Sequence, residues 1–453
     1  MDNTVRGGTE SLWSALGGDP ALLDRVEYGG PAGVLPARLP VRDLARATVA
    51  VAGLAAVERA GLPGPVRVDE GAVATAFVSE RHLRIGGRAP VNFAPLSRFW
   101  RACDGWVRTH ANYPHHRAAL LSALGVRDGA AGVTETVAAV AAAIGERTAV
   151  GTETAVYAAG GLAVALRTPG EWAAHEQGRE VAARPVLTRE RLDEAPPRRR
   201  HGPLRVLDLT RVIAGPVATR TLALLGADVL RIDPPGNPEL PDQHADTDVG
   251  KRTSALDLNR RSDLRAFGEL LDAADVLVTG YRPGALDRFL TGTGRPGLVT
   301  ARLSAWGDFG PWGGRRGFDS LVQAATGIAV TEGSADAPGA LPAQALDHGT
   351  GYLLAAAVLR SLTEQDRDGG SRLVRLGLAR TGHWLTHALP LPRVPGDTGG
   401  GDPVRPERHL AESDGPLGRL RYARSPVAYE GGPADWSRPP GVAGADAPRW
   451  LTA

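Results

Sequence analysis

The sequence of 453 residues contains one cysteine, Cys103. A single thiol cannot form an intrachain disulfide, and it excludes a cysteine-rich metal site. Lysine is as scarce: Lys251 is the only one among the 52 basic residues, and arginine supplies the rest. No apolar run reaches the length of a membrane span. The opening residues, MDNTVRGGTE, lack the apolar core of a secretory signal. Neither sign of charge dominates, since 50 acidic residues leave a net charge of +2. That balance gives no electrostatic case for a nucleic acid or an anionic membrane. The expectation is a soluble, cytoplasmic protein with neither kind of partner.

What is present is enough for real cores. Apolar residues make up 43% of the chain, and its length suits two or three domains. Abundant Ala, Gly and Pro, with Arg in place of Lys, point to a GC-rich coding bias. The lysine that survives this bias becomes a candidate functional cation.

Two segments read as linkers. DEAPPRRRHGP (193–203) carries Pro and a basic run, and PGDTGGGDPVRPER (395–408) is rich in Gly and Pro. They divide the chain into 1–192, 204–394 and 409–453. The middle part alternates strand and helix signals: strands at 204–210, 227–233, 275–280 and 298–306, helices at 215–226 and 263–274. Repeated units of this length predict an α/β fold with a Rossmann-like parallel sheet and helices on both faces. The first part is mainly helical, at 45–61 and 133–145, and mixes a strand-like core with a helix over 97–125, which suggests a smaller α+β domain. The last part is short and Pro-rich, and reads as an irregular packed tail. Residues 47–78 and 352–385 form a weak internal repeat: an Ala-rich helix, a Gly-containing turn, a short strand and a second helix.

Chemistry concentrates in the middle part. LDLTRVIAGPVATRTLALLGADVLRIDPP (207–235) reads as strand, loop, helix, strand. A helix start offers free N–H groups to a phosphate or an oxyanion, and Arg211 could pair with a phosphate. The segment lacks the G-x-G-x-x-G pattern, although Asp233 ends its second strand where such sheets carry an acid near a ribose.

This segment resembles the opening of class III CoA-transferases, the family of formyl-CoA transferase, carnitine CoA-transferase and α-methylacyl-CoA racemase. GKRTSALDLN (250–259), ADVLVTGYRPGALDRF (274–289), ARLSAWGDFGPWGGRRGFDSLVQAATG (301–327) and ALDHGTGYLLAAAVLRSL (345–362) follow in the family's order. The resemblance implies that coenzyme A, as acyl-CoA substrate, lies across the strand ends near Arg211, Val212, Ile213, Ala214, Asp233, Lys251, Arg252, Tyr281 and Arg282. It implies no metal. Asp319, in R-G-F-D-S, stands at the position of the family's nucleophile. There a carboxylate attacks the thioester, forms a mixed anhydride and then an aspartyl-CoA thioester. By local sequence alone, Asp319 is equally a helix N-cap before SLVQAATG.

The implied function is transfer of CoA between carboxylic acids. Isomerisation or racemisation of an acyl-CoA on the same fold, or CoA binding without turnover, are the alternatives. Racemases need an acid/base pair and carry Gly-His-Gly where this chain has Ala305-Trp306-Gly307, which disfavours them. The family's order of parts is also reversed. Residues 97–114 and 171–187 resemble its small domain and return segment, yet they precede the catalytic half. A fusion of the late half of one copy to the early half of another would explain this, giving either the family's homodimer or a monomer with fused halves. The family's glycine-rich lid has only LRIGGRAP (83–90) as a counterpart. His110, His115 and His116 fit no common metal spacing.

Overall fold

The computed structural model describes residues 3–128, 132–198, 202–290, 295–392 and 404–451. The 199–201 portion of the first expected linker and the 395–403 portion of the second lie outside them. The central sheet has seven strands: β1 (Leu187–Arg191), β2 (Arg205–Leu209), β3 (Asp228–Asp233), β4 (Arg252–Ala255), β5 (Val276–Thr279), β6 (Val299–Ser304) and β7 (Arg372–Gly377). Their spatial order is β4-β3-β2-β5-β6-β7-β1. All neighbours are parallel except β7 and β1. Six parallel strands that run outward both ways from β2 and β5 form a doubly wound sheet, whose ligand crevice lies where the winding reverses.

The strands are buried on both faces, as their near-continuous apolar runs require. Leu207, Leu209, Leu230, Ile232 and Leu277 pack under helix α3 (Arg261–Ala273) through Phe267, Leu270 and Leu271. Val206, Val276, Val278, Val299 and Ala301 face the opposite core, shared with α1 (Val41–Ala60), α2 (Ala214–Leu224) and α5 (Ala345–Asp368). Helix α5 is buried all round from Ala345 to Leu362, with a continuous apolar run from Tyr352 to Leu359. Its small residues let neighbours approach closely: a Cβ on Gly351 would lie 2.6 Å from the carbonyl oxygen of Ala214, and one on Gly349 2.6 Å from Leu44 Cδ2.

The two repeat copies both fold as helix, strand, helix. One is α1, Val66–Asp69 and Glu70–Phe77; the other is α5, β7 and α6 (Leu378–His387). The long helices α1 and α5 pack on each other. The copies then diverge, because Val66–Asp69 joins only a three-stranded sheet with Val26–Gly29 and Ala428–Tyr429.

A second, separate core lies between Leu96 and Ala165, whereas Leu12 to Phe77 share the main core. Strands Phe99–Arg101, Trp106–Thr109 and Ala163–Ala165 pair antiparallel. They bury Trp100, Val107, Leu120, Leu121, Val140, Ile144 and Val156 with the helices of 114–158. The last part departs from the irregular tail read in the sequence. Leu410–Gly415 and Gly418–Ala423 form a hairpin that pairs with Arg84–Ile85. Its two-residue turn is Pro416-Leu417, flanked by Gly415 and by Gly418 at φ 90°. No helix of the described residues is long and apolar enough to cross a membrane.

Candidate active site

The loop after β2 carries the sharpest backbone feature. Val212 has φ 68°, a left-handed conformation that is costly for a β-branched residue. Its N–H donates to Glu239 Oε2 at 2.8 Å. Glu239 is sealed from solvent and also accepts from the Leu240 N–H (2.8 Å), Arg231 (3.1 Å) and the Tyr113 hydroxyl. One buried carboxylate thus pins the strained loop to the first part of the chain. Arg211, from the same loop, donates to the carbonyl of Pro238 and lies over the Tyr113 ring.

Between this loop and the one after β5 lies a cleft of about 1080 Å³, open mouth included. Its walls include Arg211, Val212, Ala214, Tyr281, Arg282 and Arg316. It occupies the reversal point of the sheet. A groove of about 930 Å³ continues from it through Tyr281, Arg282 and Ser304, bringing Arg184, Arg302 and Arg380 to its walls. Burial, and then Arg282 nearby, hold the Arg316 guanidinium below its usual range.

A second cleft, about 1000 Å³, lies on the other side of Tyr113, Val212, Phe318 and Asp347, which line both. Glu80, Phe93, His110, Asn112, Gln243 and Ser320 contribute to its walls. Burial pushes the Glu80 carboxyl up to about 7. His110 stacks on Phe318 with ring centroids 3.9 Å apart. Burial keeps His110 and His116 neutral, at about 3 and about 2. Residues 83–90, compared in the sequence with the family's lid, form a tight turn: Ile85 and Arg88 bridge across Gly86 and Gly87.

Asp319 sits beneath this junction, at the start of helix α4 (Asp319–Ala325), and is wholly buried. Gln323 Nε2 donates to its Oδ1, and the backbone N–H of Asp347 donates to its Oδ2 at 3.0 Å. Asp347 lies in the first turn of α5, so Asp319 caps the positive end of a 24-residue helix. Burial raises its carboxyl to about 6 against the pull of these donors and of Arg108. Arg108 projects from the Trp106–Thr109 strand between the rings of Phe93 and Phe99. It has no ion-pair partner among the described residues, and burial lowers it to about 10.

Asp347 is the opposite case. No donor among the described residues bonds its carboxyl, which opens on both clefts. Burial, then the neighbouring Asp319 charge, hold it well above the usual carboxylate range.

Of the residues singled out in the sequence, Arg211, Val212, Ala214, Tyr281 and Arg282 line the first cleft and Ile213 the second. Three others lie elsewhere. Lys251 is fully buried, its ammonium 3.1 Å from Asp208 and 3.3 Å from Asp248. Arg252 grips Asp228 at 2.8 Å, and Asp233 binds Arg231 at 2.9 Å. These charges neutralise one another inside the sheet. Trp306 is likewise internal, packed against Trp172 and Trp312, with its Nε1–H on the Arg316 carbonyl at 3.0 Å. Reading the sequence missed Tyr113, Glu239, Arg316, Arg108 and Asp347. For Asp347 a signal existed: it opens the ALDHGTG stretch already noted.

A doubly wound sheet with a crevice at its reversal point and a buried carboxylate beneath defines an α/β ligand-binding scaffold. Residues 203–409 match the model of CoA-transferase family III. The resemblance read in the sequence is borne out over that segment, which makes up less than half of the chain. Among curated relatives, a probable fatty acyl-CoA transferase of Mycobacterium tuberculosis is 33% identical over 196 residues, covering 38% of this chain and 49% of its own. A formyl-CoA:oxalate CoA-transferase of Streptomyces avermitilis is 32% identical over 192 residues, covering 39% and 47%. An acetyl-coenzyme A transferase of Hypoxylon pulicicidum is 34% identical over 205 residues, covering 43% and 35%. The chain thus spans half or less of the length of these relatives. A crystal structure of the mycobacterial protein Rv3272 aligns with 32% identity and TM-score 0.38, over 42% of this chain and 56% of that one.

Proposed function

We propose that the protein is a CoA-transferase that moves CoA between carboxylic acids, with Asp319 as the covalent nucleophile. The observation that carries the reading is Asp319 itself: a buried carboxylate, raised by burial, behind Phe318 and Asp347, which line both clefts, on a segment that matches family III. The nucleotide end of CoA would lie along the arginine-lined groove and the first cleft, with Arg282, Arg316 and Arg380 near its phosphates. Asp233, Lys251 and Arg252 would support the sheet from within. The acyl group and the acceptor acid would use the second cleft.

The chemistry follows from the carboxylate. An Asp319 oxygen attacks the thioester carbonyl carbon, and the C–S bond breaks to release CoA thiolate and leave a mixed anhydride. The thiolate attacks the Asp319 carbonyl carbon, forming an aspartyl-CoA thioester and freeing the donor acid. An acceptor carboxylate repeats the two steps in reverse. Burial keeps water from the anhydride. Attack requires Asp319 to give up at least one of its two bonded oxygens, so the carboxylate must turn toward the cleft.

The test is trapping. Acyl-CoA should leave an adduct that hydroxylamine cleaves and borohydride reduces, mapping to Asp319 and absent in Asp319→Asn. CoA binding without any adduct would support a binding protein without turnover, and no CoA binding would refute the reading.

We also infer that the chain joins the late half of one family copy to the early half of another and acts in the cytoplasm. The helix–strand–helix copies and the α1–α5 contact support the fusion. It predicts one adduct per chain, whether the chain is monomeric or dimeric by light scattering.

A further inference from the structure

Two carboxyl groups meet under the clefts, and their surroundings are unequal. Asp319 receives donors on both oxygens: Gln323 Nε2 and the Asp347 backbone N–H. The Asp347 carboxyl receives none among the described residues, yet it is the one that lines both clefts. Only 6% of Asp347 is exposed and none of Asp319. The Asp319 charge raises the Asp347 carboxyl, so in this water-poor site ionisation of one opposes ionisation of the other. The hydrogen bonds decide which one is: Asp319 is solvated by donors as an anion, and Asp347 is not. The Asp347 side chain therefore holds the proton, and its carboxyl, on the wall of both clefts, offers that O–H to what enters them.

We propose that Asp347 is a second catalytic residue, a neutral carboxylic acid whose O–H binds the carbonyl oxygen of the incoming thioester while Asp319 attacks its carbon. This rests on the CoA-transferase reading above. As the Asp319 oxygen bonds to carbon, the C=O electron pair moves onto the thioester oxygen. The resulting oxyanion accepts the Asp347 hydrogen bond. When the oxyanion collapses, the C–S pair leaves on sulfur and the proton stays on Asp347, so no net proton moves. The later steps build their oxyanion on the Asp319 oxygen that did not attack; with Oδ1 as the attacking atom, Oδ2 keeps the Asp347 N–H. One residue thus serves both oxyanions, by its side chain for the substrate's and by its backbone for the nucleophile's. Burial and the Asp319 charge, which hold the Asp347 carboxyl well above its usual range, agree with this division.

Neutral and anionic roles separate in one comparison, read in the first half-reaction as the rate of Asp319 adduct formation from acyl-CoA. Asp347→Asn keeps a neutral donor of the same shape, and its rate is expected to stay within about tenfold of wild type. Asp347→Ala removes the donor and is expected to lose about 10²–10³-fold, the usual cost of one oxyanion donor. Equal losses in both variants, or full activity in Asp347→Ala, would overturn the proposal. An independent readout is the infrared spectrum at neutral pH. Wild type should show a protonated-carboxyl C=O band, shifted in D₂O and missing in Asp347→Asn. Its absence from wild type would overturn the proposal even if Asp347→Ala fails to fold. If wild type forms no Asp319 adduct, the transferase reading fails instead, while the infrared band still reports where the proton sits.

Discussion

The backbone N–H of Asp347 donates to Oδ2 of Asp319 at 3.0 Å, so one residue of α5 both caps its own helix with Asp319 and presents a second carboxyl to the cleft. The two acids are bound into one electrostatic unit. Anything that charges or neutralises one is felt by the other.

That coupling has a pH signature. Asp319 is raised from 3.8 to about 6, burial being the largest cause. A carboxyl raised in the folded state favours folding when protonated. Its stabilising contribution is complete below the unfolded value and is lost as pH rises through about 6. Wild type should therefore gain on the order of 1–3 kcal/mol from this group between pH 7 and pH 4 relative to Asp319→Asn, seen as converging melting temperatures on acidification. Adduct formation should fail on the same limb, near pH 6 instead of near 4. Arg108→Met removes a cation that lowers Asp319 and should move that limb upward.

Lys251 and Arg282 should separate stability from ligand binding. Lys251 lies buried between Asp208 and Asp248. Lys251→Met leaves buried Asp208 without its cation, while Asp248 keeps Arg231, and should cost about 3–5 kcal/mol of stability. Arg282 is exposed on the cleft wall. Arg282→Ala should leave the melting temperature within a degree or two and weaken CoA binding about tenfold, the worth of one charge-assisted contact. Calorimetry of folding and of CoA binding checks both; the opposite pattern would return Lys251 to the phosphate site.

Glu239→Gln tests the strained loop. The carboxylate accepts from Val212, Leu240, Arg231 and Tyr113, all of them donors. An amide turns two of its hydrogens toward donors, and the φ 68° conformation of Val212 loses its anchor. A loss of about 2–4 kcal/mol is expected, with faster amide exchange at 211–214. Unchanged exchange there would mean that packing alone holds the loop.

The sequence made legible what depends on local chain chemistry. The β-α alternation of 204–306, the loops at 211–214 and 281–282, and the stretch around Asp319 could all be read, because turns and apolar periods are local. Charge partners could not. Lys251 attracted notice by its rarity, but whether a cation faces solvent or Asp208 is a matter of distant strands. Tyr113 and Glu239 meet across 126 residues of sequence, and nothing near either announces the other. The C-terminal hairpin was missed differently: Pro416 sits in its turn and reads as irregular chain, and its partner strand Arg84–Ile85 is distant in sequence.

Strand β1 carries a consequence for solubility. Without it, β7 would be the rim of a parallel sheet, with a row of unmatched N–H and C=O groups open to any passing strand. The first part of the chain reaches across and closes that rim from Leu187 to Arg191. It brings the charged sequence Arg189-Glu190-Arg191, tied to Glu364, Arg375 and Glu194. A fragment shortened to the second part would lose this stopper together with half of the second cleft. It should then accumulate as aggregates, so the five residues that join the two parts also keep one molecule from adhering to the next.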